Sequence, residues 1–147
     1  MPNNQSLSYG EVASTGMGIK SSTFELDHSQ FTDVTTTGSK EITLVVPPRS
    51  LRLACIVETT ETWSAAITVG VGIAAAGTTW TSAAATATAE TLGFKAYCPY
   101  GAATIITGAF SGSTAESVHV TITCADYTLI TSGKVKITVF YLATQNY

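Results

Sequence analysis

The sequence predicts an all-β protein: a single antiparallel β-sandwich or jelly-roll-like domain of about seven to eight strands with an extended N-terminal arm. Two observations lead to this prediction. Several short segments alternate large apolar with small or polar side chains, which is the period of a strand with one buried face. Threonine, whose β-branched side chain suits strands, accounts for 26 of the 147 residues.

The clearest alternation predicts three strands in the first half of the chain, at residues 42–46, 51–58 and 66–73. Pro47 and Pro48 end the first of them, because proline has no backbone N–H to donate to a ladder. The side chains of the second strand that are predicted to face the core are Leu51, Leu53, Cys55 and Val57.

The third of these strands has two unlike faces. Its predicted inner face carries four β-branched side chains, Ile67, Val69, Val71 and Ile73. Its other face is nearly bare at Gly70 and Gly72. Glycine weakens a strand and is tolerated where another backbone or a bulky group comes close. We therefore expect the bare face to be covered by the arm or by a neighbouring subunit.

The second half of the chain predicts further strands at residues 117–124 and 134–141, and a short buried one at 104–107. Residues 82–92 fit either an alanine-rich helix that starts at Ser82 or a strand. Threonine is a poor helix former, which slightly favours a loop and strand.

Two regions of the chain differ in composition. Residues 1–40 are predicted to be the extended arm, with a short strand or anchoring segment near residues 22–31, and residues 41–147 are predicted to form the sandwich. The arm has few large apolar side chains and cannot bury much of its own surface. If it is ordered, it should lie against another surface.

Charge and composition exclude several classes of function. Only 12% of the residues are charged and the net charge is −3, so we expect no nucleic-acid partner. A charge-poor surface rich in threonine is typical of protein interfaces. The N-terminus lacks the features of a signal peptide, and no apolar run is long enough to span a membrane. We expect synthesis in the cytoplasm and no membrane partner.

The three cysteines do not predict a disulfide framework or a zinc site, because their number is odd and their spacing fits neither. Cys55 and Cys124 fall on the apolar faces of their strands and are predicted to be buried. Cys98 stands beside Pro99 in a predicted loop.

No catalytic, cofactor or metal site is predicted, so we expect a protein that is not an enzyme. The glycines on either side of Met17 lack the spacing of a phosphate-binding loop. His119 is not accompanied by a strained nucleophile turn. Asp27, His28 and Asp33 lie in the polar arm without the spacing of metal ligands.

Partner contacts are the remaining candidates for function. Trp63 and Trp80 flank the glycine-faced strand in loops, where packing at the rim of the sandwich competes with a protein contact or stacking on a sugar. The predicted interface residues come from the arm, the bare strand face and these two loops: Tyr9, Met17, Phe24, Phe31, Trp63, Thr68, Gly70, Gly72 and Trp80.

The strand texture of residues 41–142 resembles small virion proteins of tailed bacteriophages. It is carried by Val45-Val46-Pro47 before Leu51-Arg52-Leu53, by Ile67-Thr68-Val69-Gly70-Val71-Gly72, and by the ending Gly133-Lys134-Val135-Lys136-Ile137-Thr138-Val139-Phe140-Tyr141. The resemblance implies a β-sandwich and a structural role in a virion.

Within that group, the resemblance points first to a capsid decoration (cement) protein. Such a protein would sit on the capsid exterior as a homotrimer and clamp major capsid protein subunits. A tail, neck or head-fibre protein of the same kind of virion is the first alternative. A carbohydrate-binding module that uses Trp63, Trp80 or Tyr100 is the second.

Overall fold

The computed structural model describes residues 18–75, 77–81, 86–100, 111 and 114–143. These residues contain eight strands and no α-helix, which confirms the predicted all-β fold. The strands are β1 (Gly18–Asp27), β2 (Thr32–Asp33), β3 (Thr37–Val46), β4 (Leu51–Glu61), β5 (Thr68–Gly72), β6 (Lys95–Pro99), β7 (Glu116–Thr123) and β8 (Lys134–Ala143). Short 3₁₀ turns occupy His28–Gln30 and Tyr127–Leu129.

The strands form two antiparallel sheets of four that pack face to face. Sheet A has the order β1-β8-β4-β6 and sheet B the order β2-β3-β7-β5. Alternation along each strand explains the burial: in β8 the side chains of Val135, Ile137 and Val139 are fully buried, while the residues between them are half exposed. The largest fully buried side chains of the core are Trp80, Tyr127, Ile67, Ile122 and Ile137.

Two aromatic groups lie in this core. The ring of Phe31 packs against Trp63, with centroids 6.2 Å apart, and against Tyr127 at 6.1 Å. The ring of Trp80 meets Tyr100 edge-on at 4.9 Å. Both indoles are buried. They therefore pack within the sandwich, and neither is exposed for a protein contact or for stacking on a sugar.

The free edge of β5 is closed by threonines rather than by another strand. The hydroxyl of Thr86 donates to the carbonyl of Val69 at 3.0 Å, and the Val71 N–H donates to the Thr81 hydroxyl at 3.0 Å. The Ile73 N–H donates to the Thr79 hydroxyl at 3.1 Å. The unpaired backbone groups of an open sheet edge can pair with a strand of another chain. On β5 the threonine hydroxyls occupy most of these groups.

The sandwich begins before the predicted boundary at residue 40. β1 pairs with β8 over its whole length, from Gly18 opposite Ala143 to Asp27 opposite Lys134. The strand expected near residues 22–31 therefore starts and ends about four residues earlier than predicted. The first 17 residues of the predicted arm, including Tyr9 and Met17, lie outside the described residues.

A β-bulge in β4 overturns one predicted face. The register against β8 shifts between Arg52 and Ala54, and both of these side chains are buried. Leu51 and Leu53, predicted to face the core, are half exposed instead. An extra residue in one strand turns the residues on either side of it, which an alternation pattern alone does not reveal.

Four further local predictions need correction. Cys124, predicted to be buried within a strand, lies just after the end of β7 and is only partly buried. Cys98 is buried in β6, directly opposite Cys55, and not in a loop. Ile73 lies just beyond the end of β5 and is 38% exposed, so it does not face the core. Residues 86–93 form turns rather than a helix or strand, while residues 82–85 and 104–107 lie outside the described part of the chain.

Candidate interaction surfaces

The outer face of sheet B, which we call the threonine face, is nearly free of charge. Its cross-strand rows are Thr37–Thr123–Thr68, Ser39–Thr121–Gly70 and Glu41–His119–Gly72. The pattern follows from strand alternation, because the buried Val118, Val120 and Ile122 of β7 leave the polar residues between them on the outside. This face includes three of the predicted interface residues.

The bare face of β5 is covered in part, but by the chain's own turn. A Cβ added at Gly72 would lie 2.5 Å from the carbonyl carbon of Gly77, so the turn after β5 rests on Gly72. A neighbouring subunit or the arm, expected from the sequence, is not needed there. A Cβ added at Gly70 would lie 3.5 Å from the Gly77 oxygen and from Thr78 Cγ2, which is ordinary contact.

This turn divides the threonine face into two grooves. A groove of about 270 Å³ lies over Gly70 and is lined by Thr37, Thr68, Val69, Thr78, Thr121 and Thr123. A more polar groove of about 390 Å³ is lined by Gln30, Thr32, Ser39, Lys40, Glu41, Ala75, His119 and Thr121. Thr121 borders both grooves, and its buried hydroxyl has no hydrogen-bond partner among the described residues.

The outer face of sheet A has a charged half and an apolar half. One row crosses all four strands as Glu25–Lys136–Glu58–Lys95, with alternating sign. The Glu58 carboxylate lies 2.9 Å from Lys136 Nζ and 3.6 Å from Lys95 Nζ. Toward the other end of the sheet the exposed residues become apolar, and a shallow groove is lined by Ile19, Leu53, Ala54, Ile56, Tyr97 and Phe140. We call this second region the apolar half.

The charged row makes a pH-dependent contribution to stability. The hydrogen bond from Lys136 is the main cause that lowers the pKa of Glu58 below its ordinary value of 4.5. A lowered pKa in the folded state means that the row stabilises the fold above about pH 4.5 and that this stabilisation is lost as the pH falls through the folded pKa.

We expect Glu58→Gln to reduce the free energy of unfolding at pH 7 by about 0.2–1 kcal/mol, the usual range for exposed pairs. The difference from the parent chain should disappear at a pH below the folded-state pKa of Glu58, where the parent carboxyl is itself protonated, and should shrink in 0.5 M NaCl. Urea unfolding at the two pH values measures it. A difference that persists unchanged at the lower pH would contradict the assignment.

The predicted interface residues do not form one surface. Thr68, Gly70 and Gly72 lie together on the threonine face, with Gly72 buried under the turn. Phe31, Trp63 and Trp80 lie in the core and Phe24 packs against it, so these four side chains are not offered to a partner. The apolar half was not predicted, although Ile19 and Tyr97 are 70% and 67% exposed, because its members come from four separated strands.

The acidic and histidine side chains considered as metal ligands do not form a metal site in the described residues. Asp27 caps the 3₁₀ turn that follows β1, accepting a hydrogen bond from the Ser29 N–H at 3.0 Å. No group of three or more histidine, cysteine or acidic side chains in the described residues could hold a metal ion. Within the same residues no helix is long and apolar enough to cross a membrane.

The fold defines a two-sheet antiparallel β-sandwich whose distinctive features are its outer faces. A chain of the cyanophage Pam1 capsid asymmetric unit has a similar structure, with a TM-score of 0.59 and 20% sequence identity. The similarity covers 87% of this chain and 86% of that one. No family model matches the sequence, and no curated protein matches it significantly. At this identity the likeness establishes a shared fold.

Proposed function

We propose that the chain is a non-enzymatic structural protein of a bacteriophage virion that decorates the outside of the capsid. The observation that carries this proposal is the structural likeness to a chain of a phage capsid unit over nearly the full length of both chains. In this role the chain acts as a cement protein. It forms a homotrimer and bridges neighbouring major capsid protein subunits, and many weak contacts of this kind stabilise a shell through avidity.

The threonine face is the surface we assign to the capsid contact. Interface cores are depleted in charge, and the three rows of this face carry only Glu41 and the ring of His119 as ionisable groups. The turn over Gly72 and the grooves beside it provide a relief that a complementary loop would fill.

The binding of purified protein to mature shells tests the proposal. We expect saturable binding and an increased resistance of the shells to heat and osmotic shock. Labelled protein should be distributed over the icosahedral shell in electron micrographs. Absence of binding would overturn the proposal, and labelling confined to the tail or neck would reassign the chain to that structure. Binding to a glycan array would support a carbohydrate-binding module instead, although both tryptophans are buried.

Gly70→Leu tests the assignment of the face. Because a Cβ at Gly70 makes only ordinary contacts, we expect the thermal midpoint to change little while the leucine fills the groove and weakens shell binding. Thr23→Leu places the same leucine side chain on the outer face of sheet A and is the matched control. Equal shell affinity for Gly70→Leu and the parent chain would show that this groove does not meet the capsid, even if binding itself is confirmed.

A further inference from the structure

Two of the three cysteines form a directly opposed pair across two strands of sheet A. Cys55 on β4 lies opposite Cys98 on the edge strand β6, and both thiols are reduced in this structure. Both side chains are buried, whereas the next opposed pair, Ile56 and Tyr97, faces outward, so the two thiols lie on the core side of the sheet. The third cysteine, Cys124, belongs to neither strand and follows the end of β7 in sheet B.

The hydrogen-bond register sets the separation of this pair. The Tyr100 N–H donates to the Leu53 carbonyl at 3.0 Å, and hydrogen-bonded pairs recur at every second residue of an antiparallel ladder. Cys55 and Cys98 lie two residues further along, so they form a hydrogen-bonded pair, whose Cα atoms lie about 5.5 Å apart. Disulfides join Cα atoms that are about 4.4–6.8 Å apart. The backbone of the pair is therefore already spaced for a disulfide.

Closing the pair requires only a small approach of β6 to β4. Opposed Cβ atoms lie about 4.5–5.5 Å apart, and a disulfide brings them to about 3.5–4.5 Å. β6 has five residues, and its strand neighbour among the described residues is β4, so a shift of β6 disturbs one ladder. Burial raises the pKa of the Cys55 thiol, and the thiolate is the reactive form, so the reaction proceeds mainly when the short edge strand opens.

We propose that Cys55 and Cys98 form a reversible disulfide that locks β6 onto β4 when the protein meets a small-molecule disulfide such as oxidised glutathione. One cysteine thiolate attacks this disulfide, forms a mixed disulfide and releases one glutathione thiolate. The other cysteine attacks the protein sulfur of the mixed disulfide and releases the second. The two protein thiols are oxidised, and their two electrons and two protons leave with two molecules of reduced glutathione. This inference rests on the strand register and not on the proposed role in the capsid.

Refolding the full chain from urea in glutathione redox buffers tests the proposal, because equilibrium is then reached however slowly β6 opens. The Cys124→Ser background leaves only the pair, and trypsin cleaves after Arg52 and Lys95, which places the two cysteines in separate peptides, residues 53–95 and 96–134. In oxidising buffer we expect these peptides to be joined, the mass to fall by two hydrogen atoms, and the thermal midpoint to rise by several degrees. Reduced glutathione should reverse all three changes.

Cys98→Ser in the same background is the matched control, because it leaves Cys55 without its opposed thiol. Oxidation of this variant should yield at most a glutathione adduct and leave the thermal midpoint unchanged. An equal rise of the midpoint in the control would overturn the proposal, since the rise would not come from the disulfide. Two titratable thiols after refolding of the pair in oxidised glutathione, or a glutathione adduct on each cysteine, would also overturn it. So would a linked product whose thermal midpoint is not raised, because the bond would then not lock β6 in its native position.

Discussion

Gly133→Ala is expected to lower the free energy of unfolding by about 3 kcal/mol or more. A Cβ at this position would lie 2.2 Å from Cδ2 of Trp63, a ring that is buried and held edge-on by Phe31. The φ of Gly133 is +137°, so a side chain there also strains the backbone, by about 1–3 kcal/mol. The Gly133 carbonyl accepts a hydrogen bond from the His28 N–H at 2.9 Å, which ties this backbone to the end of β1.

Gly93→Ala is the matched control, because Gly93 also has a positive φ, +85°, but a Cβ there would meet nothing within 4 Å. We expect this variant to lose only the backbone cost of about 1–2 kcal/mol. Equilibrium unfolding in urea of both variants and the parent chain measures the difference. If the two substitutions lower the free energy of unfolding equally, the Trp63 ring moves aside for the added methyl group, and the expected steric clash is absent.

The dependence of Trp63 on Gly133 shows why the sequence could not place this indole. The two residues are 70 positions apart in the sequence. They come together only when the loop before β8 folds over the end of the core. Local pattern identifies Trp63 as a loop residue, which is correct, but not whether the loop is exposed. The strands around it were predictable because each carries its own alternation of buried and exposed residues.

The extent of β1 illustrates a different limit. Its inward positions are Lys20, Ser22, Phe24 and Leu26, and only the last two are large and apolar. An edge strand with so little apolar pattern depends mainly on its ladder with β8, and only Phe24 and Leu26 add burial of their own side chains. The sequence therefore predicted a segment that starts at about residue 22 and not the pairing of the four residues before it, Gly18 to Ser21.

The sequence correctly indicated that something lies against the bare face of β5, but the arm or neighbouring subunit that was expected there is not what covers Gly72. Gly72 does lack a side chain because a backbone lies against it, but that backbone belongs to Gly77, five residues later. The turn between them is nearly all alanine and has no conformational signature of its own. At Gly70 the structure leaves an open groove. This position therefore stays a candidate interface, and its partner is a proposal.

Glu116→Gln is expected to cost about 3 kcal/mol of stability, the low end of the cost of breaking a buried ion pair, because the Glu116 carboxylate is partly exposed. The β-bulge in β4 turns Arg52 inward, and its Nε donates to Glu116 Oε1 at 2.8 Å, while Nη2 contacts the other carboxylate oxygen. Arg52 belongs to sheet A and Glu116 to sheet B, so the pair joins the two sheets. The ring of Tyr100 lies 5.1 Å from the guanidinium carbon and covers it.

The cost of Glu116→Gln comes from the charge of Arg52, which stays in the interior after its neutralising carboxylate is removed. Arg52→Met with Glu116→Leu removes both charges and keeps similar volume, and such replacements are often neutral or stabilising. We therefore expect the double variant to unfold in urea near the parent midpoint, and the double-mutant cycle to show strong coupling between the two positions. The contradicting outcome is a double variant whose free energy of unfolding falls by the sum of the decreases in the Arg52→Met and Glu116→Leu single variants. That result would mean that Arg52 and Glu116 stabilise the sandwich separately, through packing and not as a pair.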